Sequence, residues 1–187
     1  MAWALQMRPP VGHRRAPATR GFTLIEMMIG VAILGIVATT AMPSFASLVD
    51  TQRIDGVATQ MASDLQFARA EAVLRNQGVR VSFQAEAACY VIHTGAATQC
   101  ECSHNGTAHC EGDAQALKTV ALDSAQRVSL QANVASILFD PLHGTASPTA
   151  TMRITGAQGR AVHQVVNLMG RVRTCSPQAA VSGYRAC

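Results

Sequence analysis

The sequence predicts an α+β protein in which one long helix packs against antiparallel β-sheet. Apolar residues recur at steps of three and four as far as about residue 76, and from Val79 onward they alternate at steps of two. No further helical segments separate the strands, which excludes a doubly wound α/β fold. A length of 187 residues, 49% of them hydrophobic, suits one modest domain with an appendage and excludes a disordered chain.

Residues 22–46 form an apolar run that is long enough to span a bilayer as a helix, and Glu26 is its only charged residue. Arginines precede the run, so the positive-inside rule places the N-terminus in the cytoplasm and the rest of the chain in the periplasm or outside the cell. A carboxylate in hydrocarbon costs about 2–3 kcal/mol or more. Glu26 therefore needs either a position at the lipid headgroups or a cationic partner.

The hexapeptide Gly-Phe-Thr-Leu-Ile-Glu at residues 21–26, followed by this apolar run, resembles the prepilin signal of type IV pilins and type II secretion pseudopilins. The resemblance implies that a membrane prepilin peptidase cuts between Gly21 and Phe22, removes residues 1–21 as a leader and methylates the new amine of Phe22. It also implies that residues 22–46 assemble the filament, with Glu26 paired to the N-terminal ammonium of a neighbouring subunit.

A second, amphipathic helical stretch is predicted for residues 47–78, ending near Asn76 with Gly78 as a stop signal. Its apolar stripe, which we expect to pack on a sheet, consists of Ile54, Val57, Met61, Leu65, Ala68 and Ala72. Pro43 lies just before this stretch and matches the pilin pattern, in which a proline kinks or locally melts the helix.

Residues 79–187 are predicted to form a β-rich head, in which the first two strands pair as a hairpin. The predicted strands are Val79–Phe83, Cys89–His93, Leu117–Leu122, Arg127–Leu130, Ala135–Phe139, Thr151–Thr155, Ala161–Leu168 and Arg171–Thr174. An insertion that bears cysteine and histidine, at about 94–116, has no predicted structure.

Residues 67–76 and the C-terminal residues 170–187 are similar to the GspH/FimT family, and the tail is more similar to its FimT-like minor type IV pilins than to its secretion members. The resemblance covers residues 21–92 and 135–187 and fails over the insertion. It implies a type IV pilin-like fold, other pilin or pseudopilin subunits as partners, and a single-pass location in the bacterial inner membrane before the subunit enters a pilus or pseudopilus.

All six cysteines follow the apolar run, in what should be the oxidising periplasm, where disulfides are expected. Cys175–Cys187 is the best candidate pair because it closes a short loop that ties down the last strand. Cys89, Cys100, Cys102 and Cys110 are expected to pair among themselves, with connectivity open. A metal site on Cys100, Cys102, His104, His109 and Cys110 is the competing interpretation, although Cys-x-Cys is tighter than the usual zinc spacing.

The chain after Asp140 contains arginines but no acidic residue. Arg171 and Arg173 would project from one face of a strand, about 6.5–7 Å apart, and with Arg160 and Arg185 they offer a phosphate-binding site. Gly170 would leave the backbone open to close approach. With only Tyr184 nearby as an aromatic, sequence-independent contact with duplex DNA is the predicted mode, and the FimT-like Gly-Arg-x-Arg tail is associated with DNA capture in natural transformation. The alternative is a merely solvated face.

These patterns predict a minor pilin or pseudopilin that is neither an enzyme nor the carrier of a cofactor. No nucleophile elbow, phosphate loop or His-Glu-x-x-His motif occurs, and His93, His143 and His163 are scattered. The alternatives are the minor pseudopilin of type II secretion and a membrane-anchored periplasmic metal-binding module. The net charge of +4 is no argument for an anionic partner, because four of the 15 basic residues lie in the leader and the remainder equal the 11 acidic residues.

Overall fold

The computed structural model describes residues 21–122, 125 and 127–187, so the leader arginines lie outside the described residues. The chain divides between Met42 and Pro43 into two units, each of which is described by itself. One helix, α1 (Leu24–Arg75), enters both units, and it is long and apolar enough to cross a membrane. The helix continues through Pro43, where the resemblance implies a kink or local melting.

The head contains eleven strands in the part of the chain that the structure describes. They are β1 (Val79–Gln84), β2 (Cys89–Thr94), β3 (Cys100–Cys102), β4 (Ala108–Cys110), β5 (Ala116–Ala121), β6 (Ser129–Ala132), β7 (Ser136–Phe139), β8 (Ala146–Ser147), β9 (Ala150–Thr155), β10 (Ala161–Val166) and β11 (Val172–Cys175). All eight predicted strands are present with shifted ends, and β3, β4 and β8 were not predicted.

The strands form three antiparallel sheets. The first sheet has the order β5-β2-β1-β7-β8 and contains the predicted β1–β2 hairpin, in which Val79 lies opposite Thr94. The second has the order β11-β10-β9-β6, and the third is the small β3–β4 hairpin. The structure therefore has the predicted α+β class, a long helix with antiparallel sheets.

The end of α1 is set by Asn76 rather than by the predicted stop at Gly78. Asn76 has a left-handed φ of +49°, its backbone N–H donates to the carbonyl of Val73 at 3.3 Å, and the N–H of Gln77 donates to the carbonyl of Ala72 at 3.2 Å. This is a Schellman motif, which satisfies carbonyls that the last helical turn leaves without partners. Asparagine tolerates the left-handed conformation better than most residues do.

The main core lies where α1 packs on the first and second sheets. The helix buries the residues Ile54, Ala58, Met61, Leu65, Ala68 and Ala72, which differs from the predicted stripe only in having Ala58 in place of the half-buried Val57. Phe139 and Ile154 are fully buried on the sheet side. Burial of a large apolar side chain contributes about 1.5–3 kcal/mol, so this interface is the main source of the head's stability.

The cysteine-bearing insertion folds over the face of the first sheet that points away from α1. Cys89–Cys102 and Cys100–Cys110 form disulfides and pack with Val91 and with small alanine side chains into a second, smaller core. Hairpins of three residues on each side cannot hold themselves together in water. The two disulfides and the sheet beneath therefore hold the insertion in place.

Candidate functional site

The junction between Gly21 and Phe22 is exposed at the start of the described chain. A Cβ added to Gly21 would meet nothing within 4 Å, and the Phe22 side chain is 83% exposed. Neither residue packs on another part of the described chain. The glycine is therefore not required by the fold of this chain, and a requirement for it has to come from something that binds the junction.

Glu26 closes a capping box at the start of α1. Its Oε2 accepts hydrogen bonds from the backbone N–H of Thr23 at 2.9 Å and from the Thr23 hydroxyl at 2.8 Å. In return the N–H of Glu26 donates to the Thr23 hydroxyl at 3.3 Å. This reciprocal pattern satisfies donors that a helix N-terminus leaves free. The Thr-x-x-Glu spacing is present in the sequence, whereas Glu26 was predicted only to lie at the lipid headgroups or to pair with a cation in assembly.

The helix surface that follows Glu26 is apolar and exposed. Large hydrophobic side chains from Leu24 to Leu48 are more than half exposed in the isolated chain. An exposed apolar surface of this extent marks an interface with lipid or with other protein. It is the surface that residues 22–46 were predicted to offer to the membrane and to the filament.

Arg160 does not belong to a free basic patch, contrary to the sequence-based hypothesis. Its Nη2 donates to the carbonyl of Ser47 at 2.6 Å and lies 3.3 Å from the buried Asp50 carboxylate, which also accepts from the N–H of Ala157 at 2.9 Å. A Cβ at Gly156 would come within 2.7 Å of Asp50, so glycine permits this close approach. Arg160 therefore fastens the β9–β10 turn to α1.

Arg171 lies in the β10–β11 turn rather than on the strand that was predicted to carry it. Its N–H donates to Asn167 Oδ1 at 2.9 Å, and β11 begins one residue later. Gly170, with a left-handed φ of +69°, approaches other protein: an added Cβ would lie 2.2 Å from the carbonyl oxygen of Gly144 and 3.1 Å from Arg69 Nε. The open backbone is thus used inside the head, by Gly144 and Arg69, and not left for a ligand.

Arg173 lies on the exposed face of the second sheet, together with Arg153. Arg153 is opposite His163 and His163 is opposite Cys175, while Arg173 is opposite Val165. The two arginines are thus two strands and two residues apart, a separation of roughly 12 Å. Arg153 is one of the five arginines after Asp140 but was not among the predicted DNA-binding residues, because only the register of three strands places it on this face.

Arg171, Arg173 and Arg185 are exposed and make no side-chain ion pair within residues 21–122, 125 and 127–187. Burial, and secondarily the positive charge of Arg153, lower the pKa of His163 on the same sheet face as Arg173. A neutral His163 adds no charge to this surface at neutral pH. Its basic character therefore comes from the arginines alone.

The C-terminal tail is fastened at three points. The predicted Cys175–Cys187 disulfide is present, with the Cα atoms 5.0 Å apart. The buried Ser176 hydroxyl donates to the carbonyl of Ala161 at 2.9 Å. The Tyr184 hydroxyl donates to the Asp55 carboxylate on α1, and partial burial together with this contact raises the pKa of Tyr184 to about 12. Arg185 is thereby held on an ordered segment.

The insertion offers no thiolate to a metal, because its cysteines are joined in disulfides. Within the described residues, no group of three or more His, Cys, Asp or Glu side chains converges on one point. A structural zinc site requires four ligands, usually cysteine and histidine. The observed pairing therefore does not favour the metal-binding module that the sequence analysis left as an alternative.

His93 is buried beneath the insertion and has a structural environment. Its Nε2 lies 2.8 Å from the Ser82 hydroxyl and its Nδ1 lies 2.9 Å from the carbonyl of Thr94. Burial lowers the pKa of His93, which keeps the ring neutral at pH 7. A substrate has no access to this serine–histidine pair, and His143 is exposed beside Asp140 in the loop that follows β7.

Comparison with known proteins identifies the family. The model of the type II transport protein GspH matches residues 57–170, and that of the prokaryotic N-terminal methylation motif matches residues 17–42. The chain belongs to the GspH family. No curated protein matches it.

Two solved structures are similar to this GspH-family chain. The type IV minor pilin FimU of Pseudomonas aeruginosa aligns with a TM-score of 0.52 and 16% identity, over 70% of this chain and 97% of FimU. The minor pseudopilin EpsH from the type 2 secretion system of Vibrio cholerae aligns with a TM-score of 0.49 and 12% identity, over 67% of this chain and 98% of EpsH. The likeness to FimU shows that the fold is type IV pilin-like.

Proposed function

We propose that the chain is a structural subunit of a type IV pilus-type filament, assembled through residues 22–46 after prepilin peptidase has cut between Gly21 and Phe22. The observation that carries this proposal is the exposed apolar surface of α1 with a single carboxylate at its start. The subunit waits in the inner membrane, with its head in the periplasm, until its helix is transferred from lipid to neighbouring helices. Glu26 then pairs with the ammonium on Phe22 of a neighbour.

The capping box allows the charge of Glu26 to be separated from its role in the helix. Replacement of Glu26 by glutamine keeps an acceptor for Thr23 but removes the negative charge, because glutamine serves equally in a capping box. We expect Glu26→Gln to be processed normally and to be lost from the filament fraction, since the neighbour's ammonium would have no counter-charge in an apolar environment. The measurement is immunoblotting of sheared filaments beside N-terminal sequencing of the membrane pool.

Glu26→Asp is the matched control because it keeps the charge, and it is expected to retain more filament incorporation than Glu26→Gln. Helix content in detergent, followed by circular dichroism, should be the same for both variants and the wild type. Incorporation of Glu26→Gln at the wild-type level would contradict a charge-paired assembly contact.

The apparatus that the subunit serves is the next distinction. We propose that the subunit serves a type IV pilus, because its tail has the Gly-Arg-x-Arg sequence. The type II secretion system is the alternative. Neighbouring genes distinguish them: pilus or competence genes support the first and secretion genes the second. Deletion strains compared for pili and for exported proteins give the same separation by phenotype.

A second proposed activity is sequence-independent binding of duplex DNA at the exposed arginines. Arg171 and Arg173 lie at the β10–β11 end of the second sheet, and Arg185 is held on the disulfide-bonded tail. Guanidinium groups bind phosphate oxygens in a bidentate manner. Arg160 is excluded from this surface because it is committed to Asp50 and Ser47.

The DNA-binding proposal predicts a loss that depends on salt. In residues 47–187, Arg171→Gln combined with Arg173→Gln should weaken duplex affinity roughly tenfold at low salt and make the slope of log K against log salt shallower by about two. Fluorescence anisotropy with a labelled duplex measures both. Arg75→Gln is the control, because it removes an exposed charge at the end of α1. Unchanged affinity in the double variant, or binding without salt dependence, would refute the proposal.

A further inference from the structure

A small cavity lies at the beginning of the head, between α1 and two loops. Its volume is about 230 Å³, and its wall contains Ala46, Val49 and Arg53 of α1, Arg127 before β6, and the β9–β10 turn at 157–158. All of these residues belong to the unit that begins at Pro43. None of the arginines of the proposed DNA contacts, Arg171, Arg173 and Arg185, lines this cavity.

Within the described residues, the side chains that line the cavity carry more positive than negative charge. Asp50 also lines it, but the Asp50 carboxylate is already matched by Arg160 and by the N–H of Ala157. Arg53 and Arg127 are both exposed, and neither makes a hydrogen bond or an ion pair with any other described residue. Two guanidinium groups that have no partner among the described residues and line one cavity are suited to an anion with several oxygens, for which phosphate is the common case.

The apolar surface of α1 continues directly to this cavity. Phe45 and Leu48 are 70% and 60% exposed, and with Val49, Gln52 and Arg53 they line a neighbouring cavity of about 370 Å³. Arg53 follows Ala46, the last residue of the predicted membrane segment, by seven residues of continuous helix, which is about 10 Å along the axis. The headgroup region extends about 5–7.5 Å beyond the hydrocarbon core, so the Arg53 backbone lies just outside it and the long arginine side chain can reach back to the headgroups.

We propose that Arg53 and Arg127 bind the phosphate of an anionic phospholipid, with Phe45 and Leu48 against its acyl chains. The adjoining apolar surface favours a lipid over a free phosphate ion, which would make no use of it. The site would hold the base of the head on the membrane surface before the subunit enters the filament. This inference rests on the proposed membrane anchoring and adds a ligand to it.

The test uses the full chain in mixed micelles that contain phosphatidylglycerol and phosphatidylcholine in equal amounts. Native mass spectrometry counts the lipids that each variant retains. A basic residue close to an anionic membrane surface strengthens binding about fivefold, so we expect several-fold preference for phosphatidylglycerol in the wild type. Arg53→Gln and Arg127→Gln should each reduce it, and the double variant should reduce it most.

Arg53→Lys, which keeps the charge, should retain part of the preference, and Arg75→Gln, which removes an exposed charge at the other end of α1, should retain all of it. Leader arginines contribute equally to every variant. An unchanged preference in the double variant, an equal loss in Arg75→Gln, or full displacement of the lipid by inorganic phosphate would overturn the lipid site. Failure of the proposed membrane anchoring has a different signature, namely a wild-type chain that alkaline carbonate extracts from cell membranes.

Discussion

Replacement of Gly21 by isoleucine is expected to leave the chain uncleaved and to reduce its filament incorporation to background. A Cβ added at Gly21 would have no other atom within 4 Å, so the substitution does not disturb the fold of this chain. The loss would arise at the peptidase, which has to accommodate the residue before the scissile bond. It would also remove the counter-charge for Glu26, because the nitrogen of Phe22 would remain an uncharged amide.

Mass spectrometry of the membrane pool separates the two forms, since the uncleaved chain keeps all 21 leader residues with their four arginines. Gly21→Ala is the control with the smallest added side chain, and it should be processed more completely than Gly21→Ile. Recovery of Gly21→Ile as a chain that begins at Phe22 would show that the prepilin assignment is wrong. Recovery as an uncleaved chain that nevertheless enters filaments would separate cleavage from assembly.

The elements that the sequence predicted are those with a sustained period. The stripe from Ile54 to Ala72 repeats over five helical turns, β1 alternates over six residues, and β2 is a short, mostly apolar run that is buried on both faces, so local chemistry is enough to identify them. The strands β3 and β4 have three residues each, which is too short for a period to be recognised. Their conformation follows from the Cys100–Cys110 disulfide, which joins the two strands, and from the Cys89–Cys102 disulfide and the sheet beneath, which are contacts with residues outside the hairpin.

The sequence also could not predict which arginines are exposed at the candidate site. Arg160 and Arg173 look alike in the sequence, as basic residues in a segment without acids, yet one is committed to Asp50 at a separation of 110 residues and the other is exposed. A partner at that distance leaves no local signal. Arg153 joins the exposed face for an equally non-local reason, because strand register decides which side chains share it.

The capping box at the start of α1, in contrast, has a local signal in the sequence. Thr23 and Glu26 have the spacing of a capping box, and this spacing could have shown that Glu26 has a partner within its own chain. The internal partner and the proposed neighbour's ammonium are compatible, because the contacts with Thr23 both use Oε2. Glu26 can therefore hold the helix start in shape for the contact that assembles the filament.

Asp64 is a buried carboxylate whose loss should have a large effect on the stability of the head. Asp64, 3% exposed on α1, accepts hydrogen bonds from the Tyr90 hydroxyl at 2.7 Å, from Lys118 Nζ at 2.6 Å and from the Gln60 side chain at 3.0 Å. Burial, together with the Asp64 carboxylate, raises the pKa of Tyr90 above its ordinary value, so the hydroxyl remains a donor at any physiological pH. These bonds join α1 to β2 and β5 of the first sheet.

Asp64→Ala in residues 47–187 is expected to lower the free energy of unfolding by about 2–4 kcal/mol. Most of the loss comes from the Tyr90 hydroxyl, which would be buried without an acceptor. Lys118 adds less because its side chain is 38% exposed and can be solvated by water. Urea unfolding with the disulfides intact measures the change.

Asp64→Asn keeps an acceptor for Tyr90 and should cost less. Tyr90→Phe combined with Asp64→Ala should cost less than the sum of the two single changes, because the hydroxyl that alanine leaves unpaired is then absent. A loss below about 1 kcal/mol for Asp64→Ala would show that helix and sheet are held together by apolar packing alone.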